Sequence, residues 1–98
     1  MTFTEKIKQL REQRSLPQRK VAEALDIDSA TYCKIERGER RARKEHIPVI
    51  AEILQTDEKE LLTLWLADQI TEVVEDEQEL ADKALNAAKQ NINNNTRK

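Results

Sequence analysis

Pro17, Gly38 and Pro48 are the only residues here of the two types that interrupt a backbone period, one glycine and two prolines among 98 positions. A sheet of this length needs repeated tight turns, and such turns draw on glycine and proline. Long unbroken stretches suit helices instead. The expected fold class is therefore all-α. The length allows one domain by the usual allowance of about 100 to 200 residues, which excludes most multi-domain enzyme architectures.

Apolar spacing locates the helices. Thr2 and Glu5 have capping-box spacing, and Phe3, Ile7 and Leu10 follow at steps of four and three, which predicts a helix from about Thr4 to Arg14. Ser15, Leu16 and Pro17 interrupt it. A short second helix spans Gln18 to Leu25 with Val21, Ala22 and Leu25 on one face. Asp28 or Ser29 caps a third helix through Glu36, with Tyr32 and Ile35 inward, and Gly38 ends it. A fourth helix must start near Glu45, because Pro48 is tolerated only in a first turn, and its face is Ile47, Ile50, Ala51 and Leu54.

A fifth helix, capped by Thr56 or Asp57, starts near Glu58 with Leu61, Leu62 and Trp65, and nothing obvious stops it before Asn91. Leu66, Ile70, Val73, Glu77, Leu80, Ala84 and Ala87 then step by four and three, a heptad seam flawed at Glu77. Such a helix, about 46 Å from Glu58 to Ala88 at 1.5 Å per residue, is too long for one small domain to cover. Residues 91–98 carry neither period nor core and are expected to be a disordered tail.

The formal net charge of −2 conceals an asymmetry: residues 1–45 hold 12 Lys/Arg against 8 Asp/Glu, and the remainder 5 against 11. Such a split points to a nucleic-acid or partner surface on the basic side. The densest run, RGERRARK from Arg37 to Lys44, has no apolar period and is expected to be an exposed loop.

Two short helices joined by a tight turn, with cations after the second, can set one helix in the DNA major groove. The run LREQRSLPQRKVAEALDIDSATYCKIERGER, Leu10 to Arg40, resembles the helix-turn-helix of the phage Cro/repressor family, also called the xenobiotic-response-element (XRE) type. The resemblance rests on LRxxR at Leu10 to Arg14, LxQxxxA at Leu16 to Ala22 and KIERG at Lys34 to Gly38, and extends over about Phe3 to Leu62. It implies a five-helix, lambda-repressor-like DNA-binding domain, here over residues 1–66, with residues 67–90 as a helical extension for dimerisation. It further implies a buried ion pair between Arg11 and Glu36, and a phosphate contact from Gln18 at the start of helix two. The chain departs from the family's pattern at Ser15 and Asp26, which stand at usual glycine positions, and at Pro17, which replaces a Ser or Thr cap.

Helical geometry nominates the residues that read bases. With Tyr32 and Ile35 inward, Ala30, Lys34 and Arg37 project outward, flanked by Ser29 and Cys33. Lys34 can bind the two acceptors of guanine, or else a phosphate; Ser29 can hydrogen-bond a base and Ala30 can touch a thymine methyl. Arg37, Arg40, Arg41 and Arg43 suit phosphate clamping, with binding then weakening by about 0.9 log units per log unit of salt for each phosphate neutralised.

One histidine, His46, and one cysteine, Cys33, are too few for a zinc site, and no catalytic constellation can be assembled. Neither an enzyme nor a cofactor is expected, and no small-molecule ligand is evident. No apolar run approaches the roughly 18 residues of a membrane span, and the unpaired cysteine suits a reduced, cytoplasmic setting. Trp65, Leu66, Ile70 and Val73 are candidate homodimer contacts. The expected function is a bacterial transcription regulator, a repressor or a controller of a restriction–modification system by analogy. It would bind double-stranded DNA as a homodimer over a two-fold operator. The alternative is an antitoxin or other interaction module whose acidic C-terminal helix binds a neighbour-encoded partner.

Overall fold

The computed structural model describes residues 1–96, which form six helices and no strand. They are α1 Phe3–Gln13, α2 Gln18–Leu25, α3 Ser29–Glu36, α4 His46–Leu54, α5 Glu58–Val74 and α6 Gln78–Thr96. The all-α expectation holds, with one helix more than the five expected.

Local chemistry sets each start. Glu5 N–H donates to Thr2 Oγ1 at 3.2 Å and Thr2 N–H to Glu5 Oε1 at 3.0 Å, a complete capping box on α1. Asp28 Oδ1 accepts from Thr31 N–H at 2.7 Å at the head of α3, and Asp57 Oδ2 accepts from Glu60 N–H at 3.0 Å at the head of α5. Pro17 leaves α2 with no side-chain cap.

The helix ends share one device. After α1, Leu16 N–H reaches back to Arg11 C=O at 3.1 Å and Ser15 N–H to Glu12 C=O at 3.0 Å, the paired bonds of a Schellman closure. The same pair recurs at Asp26 and Ile27 after α2, at Gly38 and Glu39 after α3, and at Gln55 and Thr56 after α4. Each closure needs one residue at positive φ: Ser15 at 55°, Asp26 at 58°, Gly38 at 78° and Gln55 at 52°. Only the third uses glycine, so three closures hold a side chain in a conformation that costs about 1–2 kcal/mol.

The fold divides after Asp68 into two units. In the first, α2 packs on α3 and α4, and α1 on the same pair. Phe3, Ile7, Val21, Tyr32, Ile35, Ile47, Ile50, Leu54 and Leu61 form the core, each contributing about 1.5–3 kcal/mol by leaving water. Leu62, Leu64 and Trp65 pack against its edge. Two polar contacts close it: Phe3 N–H donates to Asp68 Oδ2 at 3.1 Å, and Arg14 Nε donates to Leu54 C=O at 3.0 Å, satisfying an end of α1 and an end of α4.

The second unit contains α6 and the last six residues of α5, Gln69–Val74. The single helix expected from Glu58 to Asn91 does not form, because α5 stops at Val74 and α6 starts at Gln78. Acidic residues explain the break. Continued helix would set Glu72 against Asp76 and Glu75 against Glu79, like charges four apart, and would crowd acids at the negative end of α5. Broken at this point, the same acids lie at the favourable N-terminus of α6. Glu77 N–H closes the turn onto Val74 C=O at 2.9 Å. At the other end α6 carries helix through Asn91–Thr96, where a disordered tail was expected; Arg97 and Lys98 lie outside the described residues.

Candidate nucleic-acid interface

The inner side of α3 is fastened by one carboxylate. Glu36, with its side chain 2% exposed, receives Arg11 Nε at 2.6 Å on Oε2 and Arg11 Nη2 at 3.1 Å on Oε1, a bidentate pair between α1 and α3. Gln18 Nε2 adds a third donor to Oε1 at 3.1 Å, and Arg11 Nη1 turns to Leu16 C=O at 2.8 Å. Three helices and the α1–α2 turn thus meet at Glu36. Burial pushes its carboxyl up, but donation from Arg11, the neighbouring Tyr32 hydroxyl, donation from Gln18 and the charge of Arg11 outweigh burial and hold it below the usual range. The adjoining Tyr32 hydroxyl is fully buried without a hydrogen-bond partner, and burial, with Glu36 beside it, pushes the phenol well up.

Gln18, half-exposed at the head of α2, has an inward partner. Its amide, assigned by resemblance to phosphate, donates inward to Glu36. What faces solvent at the start of α2 is the uncapped N-terminus and the side chains of Arg19 and Lys20, two exposed cations that the sequence reading left out.

On the outer side of α3, Ser29, Ala30 and Lys34 are exposed, while Cys33 is half-buried and presents only part of its surface. Arg37 ends the same helix and pairs with Glu39 at 2.8 Å, with both side chains more than half exposed. Such a pair is worth little and leaves the guanidinium able to exchange partners. Arg43 and Glu45 lie 3.8 Å apart under the same conditions.

The loop after α3 is less free than its composition implies. Ala42, the one apolar residue within RGERRARK, is 2% exposed and belongs to the core. Its carbonyl accepts a hydrogen bond from Trp65 Nε1 at 2.8 Å. With Ala42 buried, Arg41 and Arg43 on either side of it are exposed. Arg40, Arg41 and Arg43 then line a cleft of about 330 Å³ closed by Asp26, Ile27 and Thr31, with His46 at its margin. His46 Nδ1 is buried and has no partner. Three guanidiniums around one concavity, opposed by one carboxylate, suit an anion the size of a phosphate.

Trp65, half-exposed, packs against the edge of the core and donates to the Ala42 carbonyl inside the first unit. Leu66, Ile70 and Val73, grouped with it from the sequence, are exposed on α5. The roles of Arg14, Asp68 and Ala42 were not assigned from sequence; for Ala42 the signal was present, as a single apolar residue inside a run of charges.

Among the described residues no group of three or more His, Cys, Asp and Glu is placed to hold a metal ion, and no helix is long and apolar enough to cross a membrane. No curated protein and no solved structure matches the chain. A family match does exist, to the helix-turn-helix domain over residues 2–64, consistent with the Cro/repressor resemblance. It spans α1 to α4 and the start of α5, where the buried carboxylate, the exposed face of α3 and the arginine loop all lie. The chain belongs to the helix-turn-helix domain family.

Proposed function

We propose that this protein is a sequence-specific transcriptional regulator that binds a two-fold operator as a homodimer, with α3 in the major groove. The observation that carries the reading is the two-sided build of α3. Its inner side is locked by Tyr32, Ile35 and the Glu36 cluster, and its outer side offers Ser29, Ala30 and Lys34 beside an anchored row of arginines. Rigid mounting matters because base readout requires donors held in register with base edges. Lys34 supplies the base contact with the most discriminating power. Arg37, Arg40, Arg41 and Arg43, with Arg19 and Lys20, supply the phosphate contacts that position it.

Dimerisation is supported by the apolar residues that α5 leaves in solvent. Leu66, Ile70 and Val73 are spaced four and three apart and exposed, Val73 to 81%. A second copy covering this stripe would set two recognition helices about one DNA turn apart, roughly 34 Å. The same residues would serve a neighbour-encoded partner if the chain were an antitoxin, and the acidic residues 75–77 favour a basic one. Sizing of the purified protein separates the two: a homodimer supports the regulator, and a monomer that gains mass only with a neighbour-encoded protein supports the antitoxin.

The test of DNA binding is a salt titration on duplex DNA. About four to six phosphates neutralised per subunit should give a log–log slope near −0.9 for each. Lys34→Ala should weaken a selected operator by about 1–3 kcal/mol while leaving the slope within about one unit of wild type. Binding that ignores salt would overturn the reading.

A further inference from the structure

The structure assigns Trp65 as a positioning residue for phosphate binding, acting through the backbone of Ala42. The inference rests on the DNA-binding reading and deepens it: Trp65 donates to the carbonyl of Ala42 in the loop and lies just past the matched family segment, residues 2–64.

Five cations in eight positions repel one another, and only one apolar side chain is present to hold the segment down. The backbone bonds that frame the loop lie at its two ends, Glu39 N–H to Lys34 C=O at 2.9 Å and His46 N–H to Arg43 C=O at 2.9 Å. Between them Ala42 is a fixed point: its methyl enters the core and its carbonyl takes the indole N–H at 2.8 Å. A buried carbonyl without a donor costs about 1–3 kcal/mol, so Trp65 is the group that makes burial of Ala42 tenable.

The consequence falls on Arg41 and Arg43. With the residue between them pointing inward, both guanidiniums lie on the outer side, where with Arg40 they line the 330 Å³ cleft beside Thr31 of α3. Without the anchor, the loop's cations would still be present but would no longer converge. The number of phosphates neutralised together would fall although the charge of the protein would not. An alanine scan of the arginines alone would miss this, because Trp65 carries no charge.

The test uses the whole chain and a random-sequence 30-base-pair duplex, with affinity measured across a salt series. Trp65→Phe keeps an aromatic ring and removes the donor; benzothienylalanine at position 65 keeps the shape of tryptophan and replaces only the N–H by sulfur. Both variants should show a slope shallower by about 1.8, two phosphates at 0.9 each, and an affinity lower by tenfold or more at low salt. Amide exchange should accelerate at residues 39–44. In a chain already carrying Arg41→Ala and Arg43→Ala, Trp65→Phe should weaken binding little further, because both changes remove the same contacts.

If wild type fails to bind the duplex, the regulator reading itself falls. If wild type binds and the benzothienylalanine variant keeps its slope and loop exchange, the positioning role is overturned while the regulator reading stands. An additive loss in the Arg41→Ala, Arg43→Ala background would also overturn it, by showing that Trp65 acts only through general stability. Should Trp65→Phe fail to fold, the isosteric variant decides alone.

Discussion

Residues 1–68 and residues 69–96 spend their apolar side chains in opposite ways. In the first region every helix buries at least one residue, and the core reaches from Phe3 to Leu61. In the second, no described residue is buried, and Ile70, Val73, Leu80 and Ile92 stand in solvent. The first region thus buries most of its apolar residues by its own contacts, with Leu66 near its end left exposed. The second displays apolar surface that a lone small chain does not cover, which is the physical ground for assigning it to a partner copy.

The largest expected effect comes from breaking the first region at its one buried charge pair. Arg11→Met strands Glu36 and should lower unfolding free energy by about 3–5 kcal/mol, measured by urea denaturation. Acid should act on the same cluster more gradually. Glu36 titrates below its unfolded value, so its contribution is complete above the ordinary glutamate range near 4.3 and is lost as pH falls through the lower folded-state value. Thermal scans from pH 6 downward should show that loss in wild type and a weaker pH response in Glu36→Gln, which starts less stable.

A change in the second region should leave the first intact. Ile70→Glu with Val73→Glu places charge on the exposed stripe; sedimentation should give a monomer where wild type gives a dimer. Unfolding of the first region should shift by no more than about 0.5 kcal/mol beyond the loss from dissociation, as for other surface changes. Equal destabilisation of both regions would dissolve the contrast.

The smallest effects lie in the turns. Ser15→Gly should stabilise the first region by about 1 kcal/mol, since it relieves a left-handed serine whose side chain is exposed. Gln55→Gly should gain less, because the Gln55 side chain accepts from Arg14 Nη2. Asp26→Gly should both stabilise and tighten DNA binding by a few-fold, because Asp26 is the carboxylate lining the arginine cleft.

Much of the first region was legible in the sequence, because its information is periodic and local. The capping box at Thr2, the inward face of Tyr32 and Ile35, the stop at Gly38 and the first-turn place of Pro48 follow from spacing and residue type. The pairing of Arg11 with Glu36 was legible only through resemblance, since 25 positions separate them. What escaped were contacts that cross the chain without a period. Gln18 donates to Glu36 because Arg11 already brings the carboxylate to the head of α2. Ala42 is buried because Trp65, 23 residues on, offers a donor to its carbonyl. The break at residues 75–77 also escaped, because the apolar spacing continues past Glu77 while the repulsion among five acids between Glu72 and Glu79 leaves no apolar period.

The most direct test of DNA reading by a dimeric α3 is selection of an operator from random duplex DNA, followed by methylation protection of its guanines. Two patches of major-groove protection, related by two-fold symmetry and centred about one turn or 10–10.5 base pairs apart, are expected, with Lys34→Ala losing guanine protection in both. Failure to enrich any sequence, or a single unpaired patch that Lys34→Ala leaves unchanged, would contradict it.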